Sequence, residues 1–149
     1  MCLDVAKSHV SNPIPEMECV KVLKYDGNGK WITPYYDGIV PVDTGWIMPL
    51  KPARRQVREY RKDEGIEGGY IHAYIEKNVS FWRLPDYRTV YSTLPTKPKK
   101  NSTYIFAAVA RDVVATGDSF GNDLVCKALY IPAFDKSGKN RNAVLDMSR

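Results

Sequence analysis

The sequence predicts an α+β fold, a β-rich single domain with about five or six mostly antiparallel strands and one short helix. Apolar or alternating segments of strand length recur along the 149-residue chain, and glycine, proline, asparagine and aspartate separate them. Only one segment carries the start and stop signals of a helix, so strands do not alternate with helices as in a doubly wound sheet. A chain of this length suits one domain.

The first part of the chain predicts a hairpin after an irregular lead-in. Residues 1–17 contain SNPIPE, whose two prolines interrupt regular structure. Residues 18–25 (ECVKVLKY) form the first expected strand, and DGNG at 26–29 has the residues that a tight turn with positive φ requires. The extended segment that follows completes a hairpin from residue 18 to about residue 36. Proline and glycine interrupt residues 37–52, where we expect a loop with a short edge strand.

Residues 53–64 are the one segment that predicts a helix. Pro52 suits the position at a helix start, and Gly65 suits the position after its end. Three arginines form a stripe along one side of this helix, namely Arg54, Arg58 and Arg61. Arginines near the N-terminus of a helix are unfavourable for its dipole, which favours a partner-binding role for them. The alternative is an ordinary solvated helix face.

Three further strands are expected in the rest of the chain. GGYIHAYIE at 68–76 alternates with period two, as a strand between two different environments does. TYIFAAVA at 103–110 and LVCKALYIP at 124–132 are apolar runs typical of buried strands. Residues 78–101 are rich in aromatic residues and proline, and they predict a loop with a short strand or a helical turn.

The domain is expected to span residues 1–132, followed by a polar, basic tail at 133–149. No apolar run reaches the roughly 20 residues that a membrane helix needs, so no membrane association is expected. The start of the chain has no charged-then-apolar signal peptide, which predicts a cytoplasmic protein.

Positive charge is concentrated in separate segments. The net charge is +5, and residues 51–64, 97–100 and 135–149 together contribute +8, so the remainder of the chain is mildly acidic. The middle segment supplies Lys97, Lys99 and Lys100. Basic segments of this kind attract acidic protein surfaces or the phosphates of nucleic acids.

The cysteines and histidines predict neither a metal site nor a bound cofactor. Cys2, Cys19 and Cys126 lie far apart and form no C-x-x-C pair. His9 and His72 do not complete a zinc spacing with them. Cys19 and Cys126 fall inside apolar strand segments, where a buried, reduced thiol is the expected state.

Cys2 is the candidate catalytic residue. Removal of Met1 frees a cysteinyl α-amine that can act as the base for its own thiol, as in N-terminal nucleophile enzymes. His72 is the candidate neighbour that lowers the pKa of the thiol. Leu3 and Asp4 follow, rather than the glycine-rich strand typical of such enzymes, and the alternative is that Cys2 is simply a small residue at that position.

Tyr70, His72 and Tyr74 form a second candidate site. The period-two pattern places the three side chains on one face of a strand. Two phenols beside an imidazole can bind a base, a ribose or a phosphoester by stacking and hydrogen bonding. The alternative is ordinary packing between neighbouring strands.

Three stretches in order carry a resemblance: the Met1-Cys2-Leu3 start with the strand that follows, the central GGYIHAY, and the closing ARDVVATG with LVCKALYIP. Together they resemble a loose group of uncharacterised small proteins from phages and gut bacteria, with a Met-Cys start and a Gly-aromatic-His strand. The resemblance implies a phage or mobile-element origin, and hence the host cytoplasm or the virion as the location. It draws attention to Cys2 and His72 but implies no reaction.

These observations favour a non-enzymatic, phage-type accessory or virion-associated protein. It is expected to bind a protein partner, within a larger assembly, through its basic and aromatic surface segments; nucleic acid is the alternative partner. The alternative function is a small Cys/His-dependent enzyme for amide hydrolysis or acyl transfer, or a ligand-binding protein, centred on Cys2 and His72.

Overall fold

The computed structural model of the protein describes residues 8–33, 44–49, 70–75, 89–116 and 123–138. The strands in these ranges are β1 Ser8–Tyr25, β2 Trp31–Ile32, β3 Thr44–Ile47, β4 Ile71–Tyr74, β5 Val90–Tyr91, β6 Thr103–Thr116 and β7 Asp123–Asp135. No helix occurs within the described ranges, so the fold is all-β and the predicted α+β class is wrong. The helix predicted at residues 53–64 lies outside the described residues.

The fold class was predicted wrongly because three strands are much longer than their sequence patterns indicate. β1 has 18 residues, β6 has 14 and β7 has 13, whereas a typical strand has about 5–6. Long paired strands bury enough surface on their own to build a core without a helical layer.

The predicted irregular lead-in at residues 1–17 is wrong from Ser8 onward, because β1 passes through Pro13 and Pro15. The register between β1 and β6 shifts between His9 and Ile14. Pro13 lies within this shift, where the chain gives up no regular ladder hydrogen bond, whereas Pro15 lies between the paired residues Ile14 and Glu16. The local rule that proline interrupts regular structure therefore fails at this place.

The predicted hairpin is confirmed. β1 and β2 pair antiparallel, with Tyr25 opposite Trp31. The turn between them has positive φ at Gly27 (91°) and Gly29 (83°), a conformation that glycine adopts at no steric cost. One carboxylate oxygen of Asp26 accepts hydrogen bonds from two backbone N–H groups of the turn, at 2.8 and 3.0 Å, which fixes its shape.

Four strands close on one another to form a ring. β1 pairs with β6 along most of its length, β6 with β7, and β7 with β4, all antiparallel. β4 returns to β1 through the single pair Tyr74 and Val20. β2 and β3 continue the pairing beside β1 and β7, and β5 lies parallel to β6. The sheet therefore has an inner and an outer side.

The inner side holds the main hydrophobic core, and every strand of the ring contributes to it. Its large, fully buried members are Leu23, Ile47, Ile71, Phe106, Val113, Leu124, Leu129 and Ile131. A smaller cluster on the other face consists of Val20, Val22, Tyr74 and Ile105. Consecutive residues of one strand thus enter different clusters, and the strands predicted at 68–76, 103–110 and 124–132 are confirmed as parts of β4, β6 and β7.

Trp31 is the centre of an aromatic group at the end of the ring where β2 begins. Its ring lies 4.9 Å from that of Tyr25, 5.1 Å from Phe106 and 5.5 Å from Tyr104, measured between centroids. Phe134 of β7 also packs against it, at 6.0 Å. The arrangement joins the β1–β2 hairpin to β6 and β7 by tilted and edge-to-face contacts.

Two polar contacts lie beside β3, one between strands and one within β7. The guanidinium of Arg111 lies 3.0 Å from the carboxylate of Glu16 and 5.2 Å from the ring centroid of Trp46, so it links β1, β6 and β3. At the end of β7 the Tyr130 hydroxyl donates to the buried carboxylate of Asp135 at 2.7 Å. Both contacts leave the inner core apolar.

Candidate functional site

The loop that follows β5 is attached to the β1–β2 turn by backbone hydrogen bonds. Tyr25 donates to the carbonyl of Ser102 at 3.0 Å, and Asn101 donates to the carbonyl of Tyr25 at 2.7 Å. The side chain of Lys100 packs over Gly27 so closely that a Cβ atom there would lie 2.7 Å from its Cγ. Two segments about seventy residues apart in sequence therefore form one surface.

This surface gathers four exposed lysines, and we call it the basic end: Lys30, Lys97, Lys99 and Lys100. The backbone beneath them is held in place, because Lys99 donates to the Tyr104 hydroxyl at 2.8 Å and Ser102 donates to the Lys99 carbonyl at 3.1 Å. Their ammonium groups extend into water from a fixed backbone. The charges of the four lysines add, so the basic end has a stronger positive potential than any one of them would produce alone.

The other predicted partner-binding residues, Arg54, Arg58 and Arg61, lie outside the described residues, as does Cys2. Their predicted roles therefore stay predictions. Of the predicted catalytic pair Cys2 and His72, only His72 lies within the described residues.

The three predicted ligand-binding side chains on and beside β4 differ in burial. Tyr70 and His72 are half-buried, whereas Tyr74 is buried against Val20 and Val22 in the outer cluster. The pKa of His72 is lowered to about 3, chiefly by burial and then by the nearby cation of Lys21. The imidazole is therefore neutral near pH 7.

Lys21 is a functional candidate that the sequence analysis did not identify. It lies on β1 between Cys19 and Leu23 on the inner side of the ring, directly across from Phe106 of β6. Its half-buried side chain donates a hydrogen bond to the backbone carbonyl of His72 across the junction of β1 and β4. A cation thus lies within an otherwise apolar cluster.

The pKa of Lys21 is lowered to about 8 because the lowering by burial outweighs the opposing effect of the neighbouring thiols of Cys126 and Cys19. Burial also raises the pKa of Cys19 well above its usual range and that of Cys126 to about 12. Both thiols are free and buried, as the sequence predicted, and the thiol of Cys126 donates to the carbonyl of Ile71 at 3.6 Å. Neither thiol ionises at neutral pH.

A signal for Lys21 was present in the sequence. In CVKVLK the even positions Val20 and Val22 form one apolar face and the odd positions Cys19 and Leu23 another, so a lysine between them has no polar face to occupy. A lysine at this position would suit a strand with one side open to solvent, but apolar clusters pack on both sides of β1 in the structure.

Comparison with protein-family models, with curated proteins and with solved structures found no match to this chain. Over the described ranges, no three or more side chains of His, Cys, Asp or Glu are grouped so that they can hold a metal ion. The same part of the chain contains no helix of the length and hydropathy needed to cross a membrane. The basic end and Lys21 are the features of the described residues that point to a function.

Proposed function

We propose that this protein is a non-enzymatic binding protein that docks an acidic protein surface on its basic end. The observation that supports it is the pair of hydrogen bonds between Tyr25 and residues 101 and 102, which holds the lysine loop against the β1–β2 turn. A fixed backbone lowers the entropy that a flexible basic loop would lose on binding. An accessory role in a larger phage-type assembly agrees with this chemistry and with the sequence resemblance.

An acidic protein is favoured over single-stranded nucleic acid because of where the aromatic rings lie. Proteins that hold single strands stack bases on exposed aromatic side chains next to a basic groove. Beside the basic end, Trp31 and Tyr104 are each only 5% exposed, and Tyr91 packs against Tyr104 at 5.6 Å. These rings pack in the core and are not exposed for base stacking. Among the described residues there, the lysine ammonium groups are therefore the main groups that can bind a partner.

The test measures binding of a fluorescent poly-glutamate peptide by anisotropy at low and at physiological ionic strength. Lys97→Glu and Lys99→Glu are each expected to weaken binding by about 2–5-fold, since one surface charge pair contributes about 0.2–1 kcal/mol. Lys127→Glu is the matched control, because Lys127 is exposed on β7 and the substitution changes the net charge equally. Binding should weaken as salt is added.

An oligo-dT of equal charge distinguishes the two kinds of partner. Tight binding of oligo-dT with weak binding of poly-glutamate would replace the proposal with a nucleic-acid-binding function. If Lys127→Glu weakens poly-glutamate binding as much as Lys97→Glu does, binding depends on net charge alone and the basic end is not the docking site.

A further inference from the structure

We propose that Lys21 is a covalent binding site for a small, apolar aldehyde or ketone, held as an imine on the lysine amine. The site lies on the inner side of the ring, and it does not depend on the function proposed for the basic end. Three features of its surroundings carry the inference: the position of the amine, the state of the neighbouring nucleophiles and the character of the lining.

The position of the amine suits attack on a carbonyl carbon. Its hydrogen bond to the carbonyl of His72 holds the nitrogen at the junction of β1 and β4. Within the described residues no carboxylate forms an ion pair with it, so no counter-ion stabilises the protonated form there. Lys21 is half-buried, so part of its side chain is exposed to solvent. An amine placed in this way is the arrangement that activates Schiff-base lysines.

The amine is also the reactive nucleophile of its surroundings. Because its pKa is lowered to about 8, roughly a tenth of Lys21 is neutral at pH 7, which is on the order of 100-fold more than for an ordinary lysine. Cys19 and Cys126 lie close enough to affect that pKa, but burial keeps both thiols protonated. They therefore do not compete with the amine of Lys21 for an electrophile.

The lining selects an apolar ligand. The inner side chains nearest to Lys21 in register are Phe106 and Ala108 on β6, and Ala73 follows from the Val20–Tyr74 pair on β4. These groups offer hydrocarbon contact and no hydrogen bonds, so a hydroxylated carbonyl compound would lose its hydration without compensation. A short alkyl aldehyde or ketone meets both requirements.

The chemistry is balanced without an oxidant or reductant. The lone pair of the lysine nitrogen forms a C–N bond with the carbonyl carbon, and proton transfer gives a carbinolamine. The carbinolamine expels its hydroxyl group with a proton as water, leaving a C=N bond. Hydrolysis reverses the sequence, so ligand and free amine exchange. A hydrophobic site with little water favours the imine.

The test is reductive trapping of the folded protein at pH 7 with butanal and cyanoborohydride, which converts the imine into a stable secondary amine. Peptide mass analysis then gives the labelling rate of each lysine. Lys21 should be labelled at least about 10-fold faster than Lys24, which lies on the same strand near its end. Glycolaldehyde, which is small and hydroxylated, should label Lys21 several-fold more slowly than butanal does.

Lys21→Arg keeps the charge and removes the reactive amine, and Lys21→Met provides a second variant should the arginine prevent folding. Either folded variant should lose the fast phase of labelling and retain the slow labelling of the other lysines. Labelling of Lys21 no faster than Lys24, or fast labelling only in urea, would overturn the proposal. Equal rates with butanal and glycolaldehyde would overturn the apolar specificity of the site.

Discussion

Lys21 is a residue at which burial and charge oppose each other. Near pH 7 the folded protein keeps an ammonium group next to apolar side chains, and the lowered pKa of about 8 reflects the free energy that this requires. The hydrogen bond to the carbonyl of His72 recovers only part of that free energy. The residue is therefore expected to reduce the stability of the protein while the amine is charged.

Replacing Lys21 with methionine should raise the free energy of unfolding at pH 7 by about 1–2 kcal/mol, because an apolar chain of similar length removes a poorly compensated charge. Urea unfolding followed by tryptophan fluorescence gives the value. Lys24→Met is the control, since Lys24 lies at the end of β1 and should change stability by less than about 0.5 kcal/mol. A Lys21→Met variant less stable than the wild type would show that the hydrogen bond to His72 outweighs the charge.

The pH dependence gives an independent check on the same residue. Between the pKa of about 8 in the folded protein and the usual value of 10.5, the unfolded chain binds more protons, so stability rises with pH. Up to about 1 kcal/mol should be gained from pH 8 to 9, and Lys21→Met should lack this gain. The raised pKa values of Cys19 and Cys126 act in the opposite direction over the same range, because the unfolded thiols ionise around pH 9, so the Lys21 gain is measured as the difference between the wild type and Lys21→Met.

His72 should determine part of the response to acid. Its pKa is lowered from 6.5 to about 3, chiefly by burial and then by Lys21, so the unfolded chain binds the extra proton between those values. Its contribution to stability is complete above pH 6.5 and falls as the pH decreases. The loss by pH 5 should be on the order of 1–2 kcal/mol, and His72→Gln should flatten this part of a urea-unfolding pH profile. An unchanged slope in the variant would mean that other groups control it.

At the scale of the element, the position of β3 depends on a glycine. Gly45 has φ of 84°, and a Cβ atom there would lie 2.7 Å from the carbonyl oxygen of Ile131. Close approach and backbone conformation both exclude a side chain, so the β3–β7 pairing requires glycine at this place. The register shift between Thr44 and Trp46 lies at the same residue.

Gly45→Ala should destabilise the protein by about 2–4 kcal/mol, combining backbone strain with displacement of β7. Gly29→Ala is the matched control, because Gly29 has nearly the same φ, 83°, with no atom within 4 Å of its would-be Cβ. That variant should cost only about 1 kcal/mol, from strain alone. Thermal unfolding of the two variants compares them directly, and equal losses would show that the contact with Ile131 relaxes freely.

The elements that the sequence predicted correctly are those whose signals are local. The DGNG turn and its hairpin, and the strands around residues 71–74, 103–110 and 124–132, follow from turn residues and apolar patterns within a few positions. The passage of β1 through Pro13 depends on a register shift against a strand about a hundred residues later. No window of local sequence contains that information.

At the scale of the whole molecule, the fold class and the candidate sites depended on which strands meet. Closure through Val20 and Tyr74 encloses the inner face of β1, and this places Lys21 inside although its neighbours in sequence are typical of an ordinary strand. The lysine loop was predicted as basic from composition, but its attachment to the β1–β2 turn comes from hydrogen bonds between distant segments. The sequence shows which segments are basic, but it does not show that the lysine loop and the β1–β2 turn form one surface.

The pairing of β1 with β6 also affects how the protein is synthesised. Residues 26–102 must be translated before β6 exists, which takes several seconds at about 5–20 residues per second, and until then the 18 residues of β1 have no main partner. An unpaired apolar strand of this length readily associates with other nascent chains. Glu16, Glu18, Lys21 and Lys24 place charges along it at short intervals and oppose such association. Lys21, which reduces the stability of the folded protein, therefore also reduces association of β1 with other nascent chains during synthesis.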